Sequence, residues 1–378
     1  MLMNQVVGQQ SAKAGLVQMF KNDQLPHALL FLGAEGTGGL PLALALSQYI
    51  FCTNKTGEDA CGVCSDCQKV SKLEHADLHI SFPALKPKPT APALSRYFIQ
   101  EFREFIAQSP YGTTYEWLQF INAENKQGNI PAEECREIID TLNLKSYEGG
   151  RKIQIIWRPE YLGKEGNILL KLIEEPPAGT LIILVAENQE DILQTILSRT
   201  QLVRLAPLSV ADIAQALADR SVADPKRAAQ IAHLAHGSFH EALQLVRHTE
   251  NDLFPMVRRW FNALFTNNGL ELSKLADEWS KDGREQQKNF LNYVIQLLEQ
   301  CIRFRYLPSV APALPEEEKA FVQKLAANSI PFEALTQMTK ELTRTIYHIE
   351  RNAHSKTQLH ALSIRLVYII QGREVEQY

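Results

Sequence analysis

The sequence lacks any apolar run approaching the roughly 20 residues that a membrane helix needs. Its opening, MLMNQVVGQQ, has no charged segment leading into an apolar core. Neither a membrane span nor a secretory signal is expected, and the cytoplasm is the expected compartment. Positive charge is not in surplus: 39 Lys and Arg face 43 Asp and Glu, giving a net charge of −4 and a pI near 6.2. This argues against a strongly basic, stand-alone nucleic-acid binder, while leaving room for a local basic patch. Internal repeats are absent, and low complexity is confined to the proline-rich linker KPKPTAP. Six cysteines in a reducing compartment favour metal binding or buried thiols over disulfides. What is present is ordinary for a soluble globular chain, with 45% hydrophobic and 22% charged residues. At 378 residues, two or three domains are expected.

The stretch from Arg151 to Leu205 organises the chain. It contains three short apolar runs, Ile153–Ile156, Leu181–Val185 and Leu202–Leu205, of the kind that suits strands buried on both faces of a parallel sheet. Between the first two, Ile168, Leu169, Leu172 and Ile173 recur at helical spacing over Asn167–Glu175. Pro176 and Pro177 then stop the helix, because a proline ring clashes with the preceding turn. A nucleotide-hydrolysing sheet would end its strand in acids, but Trp157 and Arg158 follow here. Ser198-Arg199-Thr200 puts an arginine at a helix end.

N-x-LLK-x-IEEPP (from Asn167), followed by T-I-L-SRT (to Thr200), resembles the core of the AAA+ clamp-loader subunits of bacterial DNA polymerase III. Within that group the chain is more similar to delta-prime than to the ATP-hydrolysing tau/gamma subunit. The resemblance is good over roughly 1–82 and 128–248 and looser elsewhere. It implies a P-loop NTPase-like parallel sheet with helices, then a small helical lid and an all-α collar. The expected boundaries are 1–207 for the core, 208–248 for the lid and 249–378 for the collar that oligomerises the subunits. It also implies tau/gamma and delta subunits as partners, with the sliding clamp and primed DNA reached through the complex.

Pro26–Leu32 reads as a strand entering the turn Gly33-Ala34-Glu35-Gly36-Thr37-Gly38-Gly39-Leu40. A phosphate-binding loop, G-x-x-x-x-G-K-[ST], needs backbone N–H groups around the phosphates, a lysine for the outer ones and a hydroxyl for Mg²⁺. Gly33, Gly36 and Gly38 keep its shape, but Gly39 stands where the lysine belongs and Leu40 where Ser or Thr belongs. A tight strand-to-helix turn is therefore expected, with no tight ATP binding; residual anion binding by the helix N-terminus stays open. In the resembled family Val6-Val7-Gly8-Gln9 flanks the adenine. Gly237–Leu243 resembles a lid motif in which an arginine senses nucleotide, and His240 occupies that place. His27, starting a buried strand, is expected to be a hydrogen-bonded structural residue.

Cys52, Cys61, Cys64 and Cys67, spaced x8, x2 and x2, can converge four thiolates on one tetrahedral zinc. With no open position for water the site is expected to be structural; the bland alternative is free thiols or a redox pair. The resembled subunits carry the same spacing. His75 and His79 are not needed, and Cys135 and Cys301 are expected as small buried hydrophobes.

Residues from Pro83 to about Gln127 depart from the family pattern as an insertion. Phe98, Phe102, Phe105 and Ile106 suggest one helix, and Tyr115, Trp117, Leu118 and Phe120 a second. No chemistry is evident, and the aromatic stripe is expected to form its own small core. Further on, Asn129–Glu134 starts a helix running to about Leu144, and Ser209 can cap one through Ala218. From Asn251 onward the periodicity is helical, with breaks near Pro308, Pro312 and Pro331, and Asn352–Arg365 loosely matches the last collar helices.

With Gly39, Leu40, Trp157-Arg158 and His240 where catalytic groups belong, no intrinsic ATPase is expected. Glu174 and Glu175, at the end of the next helix, do not replace the missing acids. Arg199 remains. As an arginine finger it would reach a neighbouring subunit's γ-phosphate; the plain alternative is a surface or intramolecular salt bridge. The expectation is a non-hydrolysing stator with a structural zinc. An ATP-hydrolysing subunit with degenerate motifs and a zinc-containing nucleic-acid adaptor are the alternatives.

Overall fold

The structure is a computed structural model and describes residues 1–88, 90–123, 128–148, 150–248, 253–306, 316–327, 330–350 and 353–373. Its contacts divide the chain into two compact units, Met1–Gln244 and Leu245–Tyr378.

The first unit begins with α1 (Gln10–Lys21), β1 (Ala28–Leu32), α2 (Gly39–Phe51), α3 (Ser65–Ser71) and β2 (Leu78–Ser81). The inserted segment supplies α4 (Ile99–Gln108) and α5 (Thr114–Phe120). After them come α6 (Ala132–Asn143), β3 (Lys152–Trp157), α7 (Leu170–Glu174), β4 (Thr180–Ala186), α8 (Gln194–Leu197) and β5 (Gln201–Arg204). Three helices close the series: α9 (Val210–Asp219), α10 (Pro225–Leu234) and α11 (Phe239–His248), the last of which runs past the end of the unit at Gln244.

The five strands form one parallel sheet in the order β2-β3-β4-β1-β5. This parallel sheet between helices, followed by a helical series, is the AAA+ class expected from the sequence. β1, β3 and β4 are buried at every position, as their apolar content suggests; β3 also buries two polar side chains, with Lys152 donating to the Leu144 carbonyl and Gln154 to the Ser81 hydroxyl. One face of the sheet packs on α1 and α2, the other on α6, α7 and α8.

Three expectations need correction. The Leu202–Leu205 run forms an edge strand, not one buried on both faces. Among the described residues it pairs only with β1, and Gln201 and Arg204 are exposed. The helix expected over Asn167–Glu175 is α-helical only from Leu170. Pro159–Leu169 winds as a tighter 3₁₀ segment, interrupted at Gly163, whose φ of 51° no helix accommodates. The insertion does not build a core of its own. Phe102, Phe105 and Trp117 join the apolar layer of the sheet, and the Phe102 ring lies 5.6 Å from Trp157 at the end of β3. Trp117 also donates its indole N–H to the Pro83 carbonyl at 2.8 Å. The physical reason is simple: two short amphipathic helices bury more apolar area against an existing sheet than against each other.

The second unit contains α12 (Phe254–Phe265), α13 (Gly269–Trp279), α14 (Arg284–Tyr306), α15 (Glu316–Ala327), α16 (Phe332–Glu350) and α17 (Ser355–Ile370). Its core centres on Trp260 and Trp279, 4.8 Å apart and edge to face, with Phe290 beside both. Trp260 donates to the Ser363 hydroxyl at 3.1 Å, tying α12 to α17. Pro331 directly precedes α16, as expected. Pro308, Pro312 and Asn352 lie outside the described residues.

Candidate functional site: two loops at the ends of one helix

Helix α2 connects the two loops singled out by the sequence. Its apolar residues face protein all round, from Leu40 to Ile50, so it holds both ends rigidly against the sheet.

At its C-terminal end Cys52 leads into a short antiparallel bridge, Thr56 to Asp59, which returns the chain to Cys61. The Asp59 carboxylate fixes that return by accepting from the backbone N–H groups of Met3 at 2.8 Å and Asn4 at 3.0 Å. Cys64 is the N-cap of α3, and its sulfur accepts from the Cys67 N–H at 3.5 Å. The Cys52 sulfur accepts from the Cys61 N–H, and the Cys61 sulfur from the Cys64 N–H, each at 3.3 Å.

The four sulfurs lie within 4.8 Å of one another, with Cys61 and Cys67 3.9 Å apart. A tetrahedral zinc with bonds of about 2.3 Å requires sulfurs about 3.8 Å apart, so the donor set fits that ion. Electrostatics fit as well. Burial works against a Cys64 thiolate, yet N–H groups of Cys67 and Thr53 bring its pKa down to about 6. Cys67, buried and hydrogen-bonded to Cys64, is pushed up to about 12. Without a cation the sulfurs compete for protons; a divalent ion lets all four ionise.

At the N-terminal end lies the turn after β1, outside the carboxyl ends of the strands, where open α/β sheets take their ligands. Gly36 and Gly38 have φ of 78° and 98°, the left-handed conformation that shapes a phosphate loop. Gln9 pins the turn by donating to the carbonyls of Thr37 at 3.0 Å and Ala206 at 2.7 Å. The chemistry differs from the shape. Leu40 is buried in the sheet core. A Cβ on Gly39 would meet Val185 Cγ1 at 2.9 Å, so any side chain there requires the Val185 methyl to shift.

The strand ends are likewise committed elsewhere. Arg158, in the left-handed region at φ 64°, forms an ion pair with Glu187 and lies 3.5 Å from Glu160. Burial pushes the Glu160 carboxyl up, against the pull of Arg158. His240 sits against Glu116 at 3.6 Å. Arg199 stands just beyond α8, pairs with Glu174 and donates to the Thr195 carbonyl at 3.0 Å. Its side chain keeps 36% exposure.

A family described as DNA polymerase III, delta subunit, matches residues 8–209, more than half of the chain. The chain belongs to that family. Among its relatives, the DNA polymerase III subunit delta' of Bacillus subtilis is 24% identical over 364 residues, covering 94% of each chain. Subunit delta' of Escherichia coli is 27% identical over 51% of this chain and 46% of its own length. DNA polymerase III subunit gamma of Buchnera aphidicola subsp. Baizongia pistaciae is 23% identical over 81% of this chain and 77% of its own length.

The structure thus brings the four cysteines together and places Gly33–Gly39 at one end of α2, with Arg199 apart from both. His75 stays outside the sulfur cluster, stacked on Phe51 at 3.9 Å and facing Glu148 at 3.7 Å. Cys135 and Cys301 are buried thiols, each pushed up to about 12 by burial. His27 corrects its expectation. Its side chain is exposed, and its contribution is a backbone carbonyl accepting from Ile182 N–H at 2.8 Å. Sequence reasoning missed Tyr111 and Glu116 of the insertion, which meet the turn and α11. Nothing in SPYGTTYEW signals such a contact, because it is made across more than 70 residues of chain.

Proposed function

We propose that this chain is the non-hydrolysing, delta-prime-like stator subunit of a DNA polymerase III clamp loader. It would assemble in the cytoplasm with tau/gamma and delta subunits, and through that complex take part in loading the sliding clamp on primed DNA. The proposed division of labour is a core at 1–207, a lid at 208–248 and an oligomerising collar at 249–378.

The observation that carries the reading is the state of the turn and strand ends. Gly39 and Leu40 stand in the places of the lysine and the hydroxyl, and Arg158 is paired with Glu187 where acids would hold Mg²⁺. Losing one preorganised electrostatic group typically costs about 10²–10³ in rate, and here several are missing from one pocket. The zinc proposed for Cys52, Cys61, Cys64 and Cys67 is structural, since four thiolates leave no position for a substrate.

Arg199 is the group that would act on a neighbour. Its guanidinium stays charged and can donate two parallel hydrogen bonds to phosphate oxygens. The partner Glu174 is itself 46% exposed, so solvent screens the pair and a phosphate can compete for the arginine.

The test has two parts. Titration of the isolated chain with a fluorescent ATP analogue should be flat; micromolar binding lost on mutating Gly33–Leu40 would overturn the non-binding assignment. Reconstitution with tau/gamma and delta subunits should give a clamp-loading ATPase that Arg199→Ala slows and Arg199→Lys barely rescues. Unchanged clamp loading by the Arg199→Ala complex would remove the finger.

A further inference from the structure

The insertion has a place in the nucleotide cleft that its sequence does not announce. Tyr111, 4% exposed, lies over the turn, and a Cβ on Gly38 would come within 3.2 Å of its ring. Its hydroxyl accepts from the Val7 N–H at 2.7 Å, joining the insertion to the N-terminal segment. Phe239, the first residue of α11, packs edge-on against the ring with centroids 4.9 Å apart. The Arg220 guanidinium, just after α9, lies 5.7 Å from the Tyr111 ring and 4.7 Å from that of Phe239. Arg220 also donates to the Gln5 carbonyl at 2.9 Å, and the Phe239 N–H to the Gly36 carbonyl at 3.0 Å.

Five residues on, Glu116 repeats the connection. One of its oxygens accepts from the Gln244 amide at 2.5 Å, and the other faces His240 Nδ1 at 3.6 Å, both partners on α11. The same carboxylate accepts from the Thr113 N–H at 3.1 Å in the capping box of α5, so its position is fixed from the insertion side.

A nucleotide at such a turn places phosphates against the backbone N–H groups of the loop and helix N-terminus. Here a buried aromatic ring lies against Gly38, and the groups around it come from the N-terminal segment, the turn, Arg220 after α9 and the start of α11. We propose that residues 111–116 act as an internal ligand: Tyr111 fills the nucleotide cleft and Glu116 clasps α11, holding α9–α11 on the sheet with no nucleotide present. This goes beyond the missing catalytic groups, since it concerns occupied space, and it is independent of what Arg199 does in an assembly.

Hydrogen exchange of the full chain, followed by mass spectrometry, tests it. Tyr111→Ala should lower protection across α9 and α11 by roughly tenfold or more while leaving β3 and β4 unchanged. Tyr111→Phe, which keeps the ring but loses the acceptor for Val7, should have a much smaller effect there. Glu116→Gln can keep the α5 cap and carries the test if Tyr111→Ala does not fold; its expected loss is confined to α11. Unchanged exchange in α9 and α11 in these variants, or a loss shared equally by sheet and helices, would overturn the proposal.

Discussion

The two ends of α2 make an instructive contrast. At Cys52 the chain keeps a complete donor set within 16 residues, and its sulfurs sit at metal-binding separation. At Gly39 the turn keeps its backbone conformation, but Leu40 is buried in the core, a Cβ on Gly39 would meet Val185, and Tyr111 lies against Gly38. A thiolate site is local: its ligands arrive on one short segment and depend little on the rest of the fold. A nucleotide site is assembled from a turn, two strand ends and a lid. Once the charges go, surrounding side chains gain by filling the vacated volume, because interiors pack densely.

That contrast can be broken most severely at the metal end. Cys67→Ala should abolish stoichiometric metal binding and open the 52–71 segment to proteolysis. Structural zinc contributes apparent free energies of about 10–16 kcal/mol in zinc-finger peptides, so a loss of several kcal/mol is expected here. Elemental analysis together with thermal unfolding, with and without chelator, measures it. Full metal content in the variant would mean that the four sulfurs are not the site.

Next in size is Trp117→Ala. The indole is fully buried, lies 5.1 Å from both Phe82 and Phe102, and shares their apolar layer with Trp157. Truncation should cost about 3–5 kcal/mol in denaturant unfolding. A loss below about 1 kcal/mol would mean that the insertion is a detachable appendage, as a self-contained core implied.

Gly39→Lys sharpens the comparison at the other end. The new Cβ meets Val185, so a cost of about 1–3 kcal/mol is expected. Calorimetry should find no gain in ATP affinity while Tyr111 stays in place; micromolar binding by this single variant would show that only the charge was lost. The smallest expected effect is that of Arg199→Ala on the isolated chain. Its pair with Glu174 is solvent-exposed, so the unfolding midpoint should hardly move. A clear drop would favour a structural salt bridge over a role toward a neighbour.

Much of this was legible in the residues. Ile153–Ile156 and Leu181–Val185 announced buried strands because their neighbours cover both faces. Ser209 announced a helix start, and its hydroxyl does accept from the Asp212 N–H at 3.0 Å. Leu202–Leu205 misled, since nothing in four residues says whether a second strand lies beyond them. Phe102, Phe105 and Trp117 showed the right period but not the surface they cover, because periodicity marks a face and leaves its partner undefined.

By itself the sequence determined the identity and spacing of the four thiolates, the missing lysine and hydroxyl at Gly39 and Leu40, and the alternation of strands and helices. Each of these is a short-range property, carried by the covalent order of neighbouring residues. Only the tertiary structure decided that Tyr111 would lie against Gly38, that Glu116 would meet His240, that Arg158 would pair with Glu187, and that the insertion would join the sheet. Those are contacts between segments distant in sequence, selected by which surfaces bury the most apolar area and satisfy the most polar groups at once.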